Sequence, residues 1–353
     1  MRRQTLAKAR MDILTALNPE THYSNRKLQV VIGAWVASGL FDRGGKISLD
    51  DGDVQESDYT KQSIYALLYS IYREVGTVVD EHGQPYEFTF NTWGYDWPKS
   101  WGEPPTHDRD PQRFGKFAYT GLFHFAAVQE YVAAREGKIH IVEMGCGTGA
   151  GAHQICKNVW PLCTYVAIDM QAAAIQTCQR KFVPELNGRL VARHGDATKL
   201  SIAPESADFV VICETHITEQ NGEVTPEDKA FFDNVYQTLK PGGFLVWGNA
   251  IPDITWQPCF DQLQSIGMTQ VDVQDVTEEA VLARDLDTAR ANAYVEQCLN
   301  QFYGFNIPVL GKKRRFQAEQ ALKNFYRHPG TRLYEKMKDG TDSYRVALFQ
   351  KPE

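Results

Sequence analysis

A chain of 353 residues, 43% of them hydrophobic and 23% charged, is long enough for one large domain or for a domain with a cap. The net charge of −7 and the lack of a long basic run argue against a nucleic-acid partner, because binding to phosphates needs clustered Lys and Arg. No apolar run reaches the length of a membrane span, and seven cysteines without a CxxC pair point to a reduced, cytoplasmic protein.

The opening stretch, MRRQTLAKARMDILTALN, is basic but has no apolar centre or cleavage site, so it reads as an amphipathic helix and not a secretory signal. Ile64, Leu67, Leu68, Ile71, Tyr72 and Val75 recur at helical spacing and predict another. Residues 86–105, YEFTFNTWGYDWPKSWGEPP, then hold three tryptophans, two tyrosines and two phenylalanines within 16 residues. Aromatics bury large areas and make shaped apolar walls. The segment either packs an N-terminal region onto the core or lines a hydrophobic substrate pocket. A single helix is expected from about Phe114 to Arg135.

The next segment, IHIVEMGCGTGAG at 139–151, is an apolar strand ending in Glu143, followed by glycines at 145, 147, 149 and 151. Glycine allows a sharp turn and lets a ligand approach the backbone. A strand, such a turn and a helix form the first unit of a nucleotide-binding α/β sheet. Ala150 also satisfies the dinucleotide fingerprint, so the glycines alone do not choose the ligand. Glu143 does, because a carboxylate repels a pyrophosphate but attracts the ammonium and sulfonium of S-adenosylmethionine.

TYVAID (164–169) predicts a second strand tipped by Asp169, and QAAAIQTCQRKF a helix after it. An acid at that tip suits ribose hydroxyls. RLVARHGDATKL gives a third strand and the turn Gly195-Asp196-Ala197. ADFVVIC (207–213) is a continuous apolar run suited to a central parallel strand. LKPGG (239–243) precedes the strand FLVWGN, and the helix WQPCFDQLQSIG precedes a sixth strand, TQVDVQDVT. A helical insertion follows at about 278–336, with KKRR (312–315) read as a solvated stretch. SYRVALFQK (343–351) alternates and predicts a last, antiparallel strand.

ExGxGxG at 143–149, the acid at 169, GDA at 195–197 and LKPGG at 239–243 occur in register, and with them the chain resembles class I S-adenosylmethionine-dependent methyltransferases. The resemblance implies an α/β fold: a seven-stranded Rossmann-like sheet with helices on both faces, a helical N-terminal extension and a helical cap before the last strand. The expected divisions are 1–135 as a helical and aromatic lid region, 136–277 as the donor-binding core, 278–336 as the cap, and 337–353 as the final strand. It implies S-adenosylmethionine as cofactor, held by Glu143, Gly145, Gly147, Thr148, Gly149, Asp169, Met170, Asp196, Ala197 and Cys213.

The fourth strand tip reads CETHITEQ (213–220) and faces the transferable methyl in this fold, which nominates Glu214 and His216 as catalytic. Asn91-Thr92-Trp93-Gly94-Tyr95, the acid-x-His tip and the tail phrases at 275–290 and 329–346 resemble bacterial fatty-acid and related small-molecule methyltransferases. That nominates Trp93, Tyr95, Trp97, Phe117 and Tyr344 as acceptor-binding. O-methylation of an apolar carboxylate or hydroxyl is the leading expectation. C-methylation of an isoprenoid or similar metabolite, N-methylation of a small amine, and a donor-binding scaffold without activity are the alternatives. A hydroxyl acceptor would need a base, which His216 can be; a carboxylate would need only orientation. A substrate carboxylate near Glu214 is unfavourable unless Glu214 turns away or is bonded to backbone amides. No HxH or HxxxH pair suggests a metal, and a homodimer is left open.

Overall fold

The computed structural model describes residues 77–353 except 81, 91, 107–108, 200–201, 216–221 and 304–309. Both expected N-terminal amphipathic helices, Asn91 and His216 with the residues after it lie outside the described residues, as do the side chains of 312–314. Two compact units emerge: one is Thr89–Ala283 with Lys336–Glu353, the other Arg284–Glu335 with the described part of 1–88.

The smaller unit contains a short hairpin, β1 (Thr77–Val79) and β2 (Pro85–Glu87). The Gln297 side chain, from the helix Thr288–Tyr303, bonds both backbone groups of Val79 at 3.1 and 3.0 Å. Phe88 stacks on Tyr294 with ring centroids 4.6 Å apart.

The larger unit is built on a sheet of seven strands: β3 (His140–Met144), β4 (Thr164–Asp169), β5 (Leu190–His194), β6 (Ala207–Cys213), β7 (Leu239–Pro252), β8 (Thr269–Asp275) and β9 (Asp342–Gln350). Their order is β5-β4-β3-β6-β7-β9-β8, with β9 antiparallel to both neighbours and the other strands parallel where they pair. This is the expected Rossmann-like sheet with its reversed last strand. β6 is buried at every residue: six are apolar, and the seventh, Asp208, accepts from the Tyr131 hydroxyl and the Lys240 ammonium, each at 2.9 Å.

Each face of the sheet carries its own core. Val142, Met144, Val210, Ile212 and Trp247 pack under the helices Pro226–Thr238 and Asp253–Ser265. The opposite face presents Ile141, Tyr165, Phe209, Val211 and Val246. It is covered by α1 (Arg113–Gly121) and α2 (Ala126–Ala134) together with the aromatic segment.

Two expectations change. The single helix across 114–135 is two helices, broken at Leu122–Phe125, where Phe125 turns extended (φ −61°, ψ 138°). The break lets Leu122, Phe123 and Phe125 all point into the core, which one continuous helical stripe could not do. LKPGG does not precede the strand but is part of β7. Ala207 pairs with Leu239 and Phe209 with Phe244, so Lys240–Gly243 form a bulge in the strand.

Candidate functional site

The glycine turn joins β3 to the short helix Ala150–Gln154. Gly145, Gly147 and Gly149 take φ of +90°, +54° and +81°, backbone that other residues rarely adopt. A Cβ on Gly145 would fall 2.1 Å from the Thr215 hydroxyl, and one on Gly149 would fall 2.3 Å from Cys178 Sγ. Backbone N–H groups of Gly145 and Cys146 both donate to the Ile168 carbonyl, at 2.8 and 2.9 Å. The first strand tip is thereby tied to the second.

Asp169, at that second tip, accepts from the Gly147 and Gln171 amides at 2.8 and 2.7 Å. Desolvation pushes its carboxyl up to about 6, although the two amides pull the other way. Met170 follows and is 39% exposed. At the third tip, Asp196 accepts from the Thr198 amide and hydroxyl and pairs with Lys199 at 2.9 Å. Partial burial works against its charge, yet these partners hold its carboxyl below the usual range. Ala197 is fixed through its carbonyl by Asn234, at 2.6 Å. Thr148 donates to the Thr89 carbonyl at 3.0 Å, which links the glycine turn to the start of the aromatic segment.

Glu143 is fully buried. Its Oε2 accepts from the Tyr165 hydroxyl at 3.0 Å, and its Oε1 has no partner. Desolvation raises its carboxyl to about 7, against the pull of the Tyr119 and Tyr165 hydroxyls.

At the fourth tip, Cys213 is buried and the Glu214 backbone turns left-handed (φ +48°), its N–H donating to the Gly248 carbonyl at 2.8 Å. The turn sends the Glu214 carboxylate toward the aromatic segment. There it accepts from the Trp93 amide at 2.8 Å, the Gly94 amide at 2.9 Å and the Tyr344 hydroxyl at 3.0 Å. The condition stated for a substrate carboxylate at this tip, that Glu214 be bonded to backbone amides, is therefore met. Tyr95 packs edge-on to Tyr344, with centroids 5.1 Å apart, and to Trp101 at 6.0 Å. Trp97 lies against Phe117 at 5.5 Å. The Tyr95 hydroxyl and the Trp97 indole N–H are both buried without a hydrogen-bond partner.

The four tips thus carry the donor-site candidates, and the fourth also gathers Glu214, Trp93, Tyr95 and Tyr344. The sequence reading did not single out Tyr119, Tyr165 or Thr215. Thr215 ties the first tip to the fourth, donating to the Gly145 carbonyl at 2.9 Å. Tyr165 was findable: in a parallel pair it shares a sheet face with Glu143 on the next strand. Tyr119 sits on a helix whose docking no local pattern announces. Among the described residues, no group of three or more His, Cys, Asp or Glu side chains is arranged to hold a metal ion.

Residues 141–243 match the model of a methyltransferase domain family. A probable phthiotriol/phenolphthiotriol dimycocerosates methyltransferase from Mycobacterium ulcerans is 25% identical over 217 residues, covering 61% of this chain and 77% of that protein. A fatty-acid O-methyltransferase from Mycolicibacterium smegmatis is 23% identical over 266 residues, covering 75% and 84%. Among solved structures, a putative sarcosine dimethylglycine methyltransferase from Galdieria sulphuraria aligns over 74% of this chain and 93% of its own, at 12% identity and a TM-score of 0.48.

Proposed function

We infer that the chain is a class I S-adenosylmethionine-dependent methyltransferase acting on a small molecule, and that its acceptor is largely apolar and methylated on oxygen, as a carboxylate or a hydroxyl. The observation that carries this reading is the buried, unpartnered hydroxyl of Tyr95, whose ring packs on Tyr344, the phenol that donates to Glu214. An orphaned buried donor costs about 1–3 kcal/mol, which an acceptor oxygen bonded to it would recover. The surrounding rings of Trp97, Trp101 and Phe117 suit an apolar body. The fatty-acid O-methyltransferase among the relatives favours the same class.

The residues present fit the donor. The orphaned Glu143 Oε1 suits an ammonium, and the left-handed backbone of Gly145, Gly147 and Gly149 shapes the turn beside it. Asp169 takes the ribose hydroxyls, and Asp196 with Ala197 the adenine end. Gly145, Gly147, Thr148, Gly149, Met170 and Cys213 line the path between. Bound S-adenosylmethionine supplies an electrophilic methyl on a sulfonium, and transfer is an in-line displacement governed by placement and exclusion of water. The Tyr95 hydroxyl orients the attacking oxygen. His216 donates to a carboxylate acceptor, or takes the proton of a hydroxyl one. Glu214, held by three donors, fixes the aromatic wall and repels a substrate oxygen less than a bare carboxylate would.

The test is a screen of fatty acids, hydroxylated lipids and isoprenoids with methyl-labelled donor, repeated with Tyr95→Phe. Product carrying the labelled methyl on oxygen, with acceptor KM raised at least fivefold by Tyr95→Phe, is expected. An unchanged KM would remove Tyr95 from acceptor recognition.

A further inference from the structure

The Glu143 carboxyl group has two unequal ends. One oxygen is tied to Tyr165 of the neighbouring strand at 3.0 Å, and the other is buried with no partner. Tyr165 reaches it because parallel pairing sets Glu143 opposite Ala167, so Tyr165 lies two residues back on the same face. Tyr119 comes from α1 on that face, and its ring fills the space left by Gly151, where a Cβ would lie 1.9 Å from Cε1. Neither tyrosine belongs to the motifs that mark the donor site.

We propose that Tyr165 is a positioning residue of the donor site, holding Glu143 so that its free oxygen meets the donor's ammonium, and that donor binding there releases a proton from Glu143. This rests on the reading of Glu143 as the ammonium's partner.

The physical argument is one of charge. Every titratable group acting on Glu143 among the described residues is neutral or negative. Tyr119 and Tyr165 are phenols held well above 10 by burial, so each can only donate. The thiols of Cys146, Cys156, Cys178 and Cys213 are likewise held above their usual range. Asp169, on the neighbouring strand, is an acid that adds repulsion. An isolated buried carboxylate under those conditions takes up a proton. Its carboxyl accordingly titrates at about 7, with desolvation as the cause. The donor's ammonium is the missing cation. Its arrival stabilises the carboxylate, and the acid proton leaves to solvent. The tyrosines keep the cost of ionisation within the ammonium's reach, since both favour the charged form.

The experiment is calorimetric titration of the full chain with S-adenosylhomocysteine, which keeps the ammonium, in buffers of different ionisation heat. Wild type should release close to one proton per ligand at pH 6 and far less at pH 8. Its affinity should rise nearly tenfold per pH unit below 7 and then level off. Glu143→Gln should lose that share of proton release, which separates it from any share belonging to Asp169. Tyr165→Phe removes one donor to the carboxylate, so affinity should drop several-fold at pH 7 and recover toward wild type at pH 8.5. A merely structural role would lower affinity equally at every pH. Proton release identical in wild type and Glu143→Gln, or parallel pH profiles for wild type and Tyr165→Phe, would overturn the proposal while leaving donor binding intact. Failure of the adenosyl ligand to bind at all would overturn the ammonium reading itself.

Discussion

Glu143 sets a stability cost against a function. An acid whose carboxyl is raised from 4.5 to about 7 on folding binds its proton more tightly in the folded state. Stability is therefore undiminished below pH 4.5, falls as pH rises toward 7, and carries the full cost above that. The cost is on the order of 3 kcal/mol for a shift of this size. Glu143→Gln should raise the thermal midpoint at pH 8 by several degrees, leave it nearly unchanged at pH 4.5, and weaken the donor far more at pH 8 than at pH 4.5. Differential scanning calorimetry at the two pH values checks this, and a midpoint lowered at pH 8 would contradict it. Glu214 invites a different expectation. Glutamine in its place offers one acceptor oxygen where two amides and a phenol now donate. Glu214→Gln should therefore loosen the aromatic wall and raise acceptor KM more than it lowers kcat. His216→Ala should instead lower kcat by about 100-fold or more. Steady-state kinetics under donor saturation separate the two, and equal kcat losses would put both residues in the chemical step.

The decisive element is the glycine turn. Gly147 sits at φ +54° with its N–H on Asp169, so its backbone position sets the distance between the first and second tips. Valine there adds a β-branched side chain in a left-handed conformation. Gly147→Val should weaken S-adenosylhomocysteine at least tenfold, about 1.4 kcal/mol, while the fold persists. Unchanged affinity with a native circular-dichroism spectrum would mean that the turn does not touch the ligand. This element was legible because its requirements are local: alternate glycines, an acid at the strand end and an apolar run before them. The break between α1 and α2 was not. It is decided by which of Leu122, Phe123 and Phe125 find room beneath the aromatic segment, a tertiary matter invisible to helical periodicity. The LKPGG bulge was hidden for a similar reason. Pro and Gly signal a turn locally, but pairing of Leu239 with Ala207 draws the segment into the sheet.

At the scale of the molecule, motif order disclosed the sheet, since four strand-tip signals in sequence admit few other arrangements. The contacts across the tips were less accessible. Glu214 is expected as a catalytic carboxylate at the fourth tip, and its left-handed backbone turns it onto Trp93 and Gly94, more than a hundred residues away in sequence. The two buried tyrosines at Glu143 likewise depend on register and helix docking. The whole account needs no divalent ion, so turnover should survive EDTA; loss of activity rescued by magnesium or iron would reveal a site that local sequence patterns do not show. The central claim is transfer to oxygen on a small apolar acceptor. It is tested most directly by mass spectrometry and NMR of the product formed from carbon-13-methyl donor and the best acceptor of the screen. The account predicts a labelled methyl ester or methyl ether. A methyl group bonded to carbon would contradict it, and the Glu214 carboxylate would then be the group placed to stabilise the cation formed on an alkene acceptor.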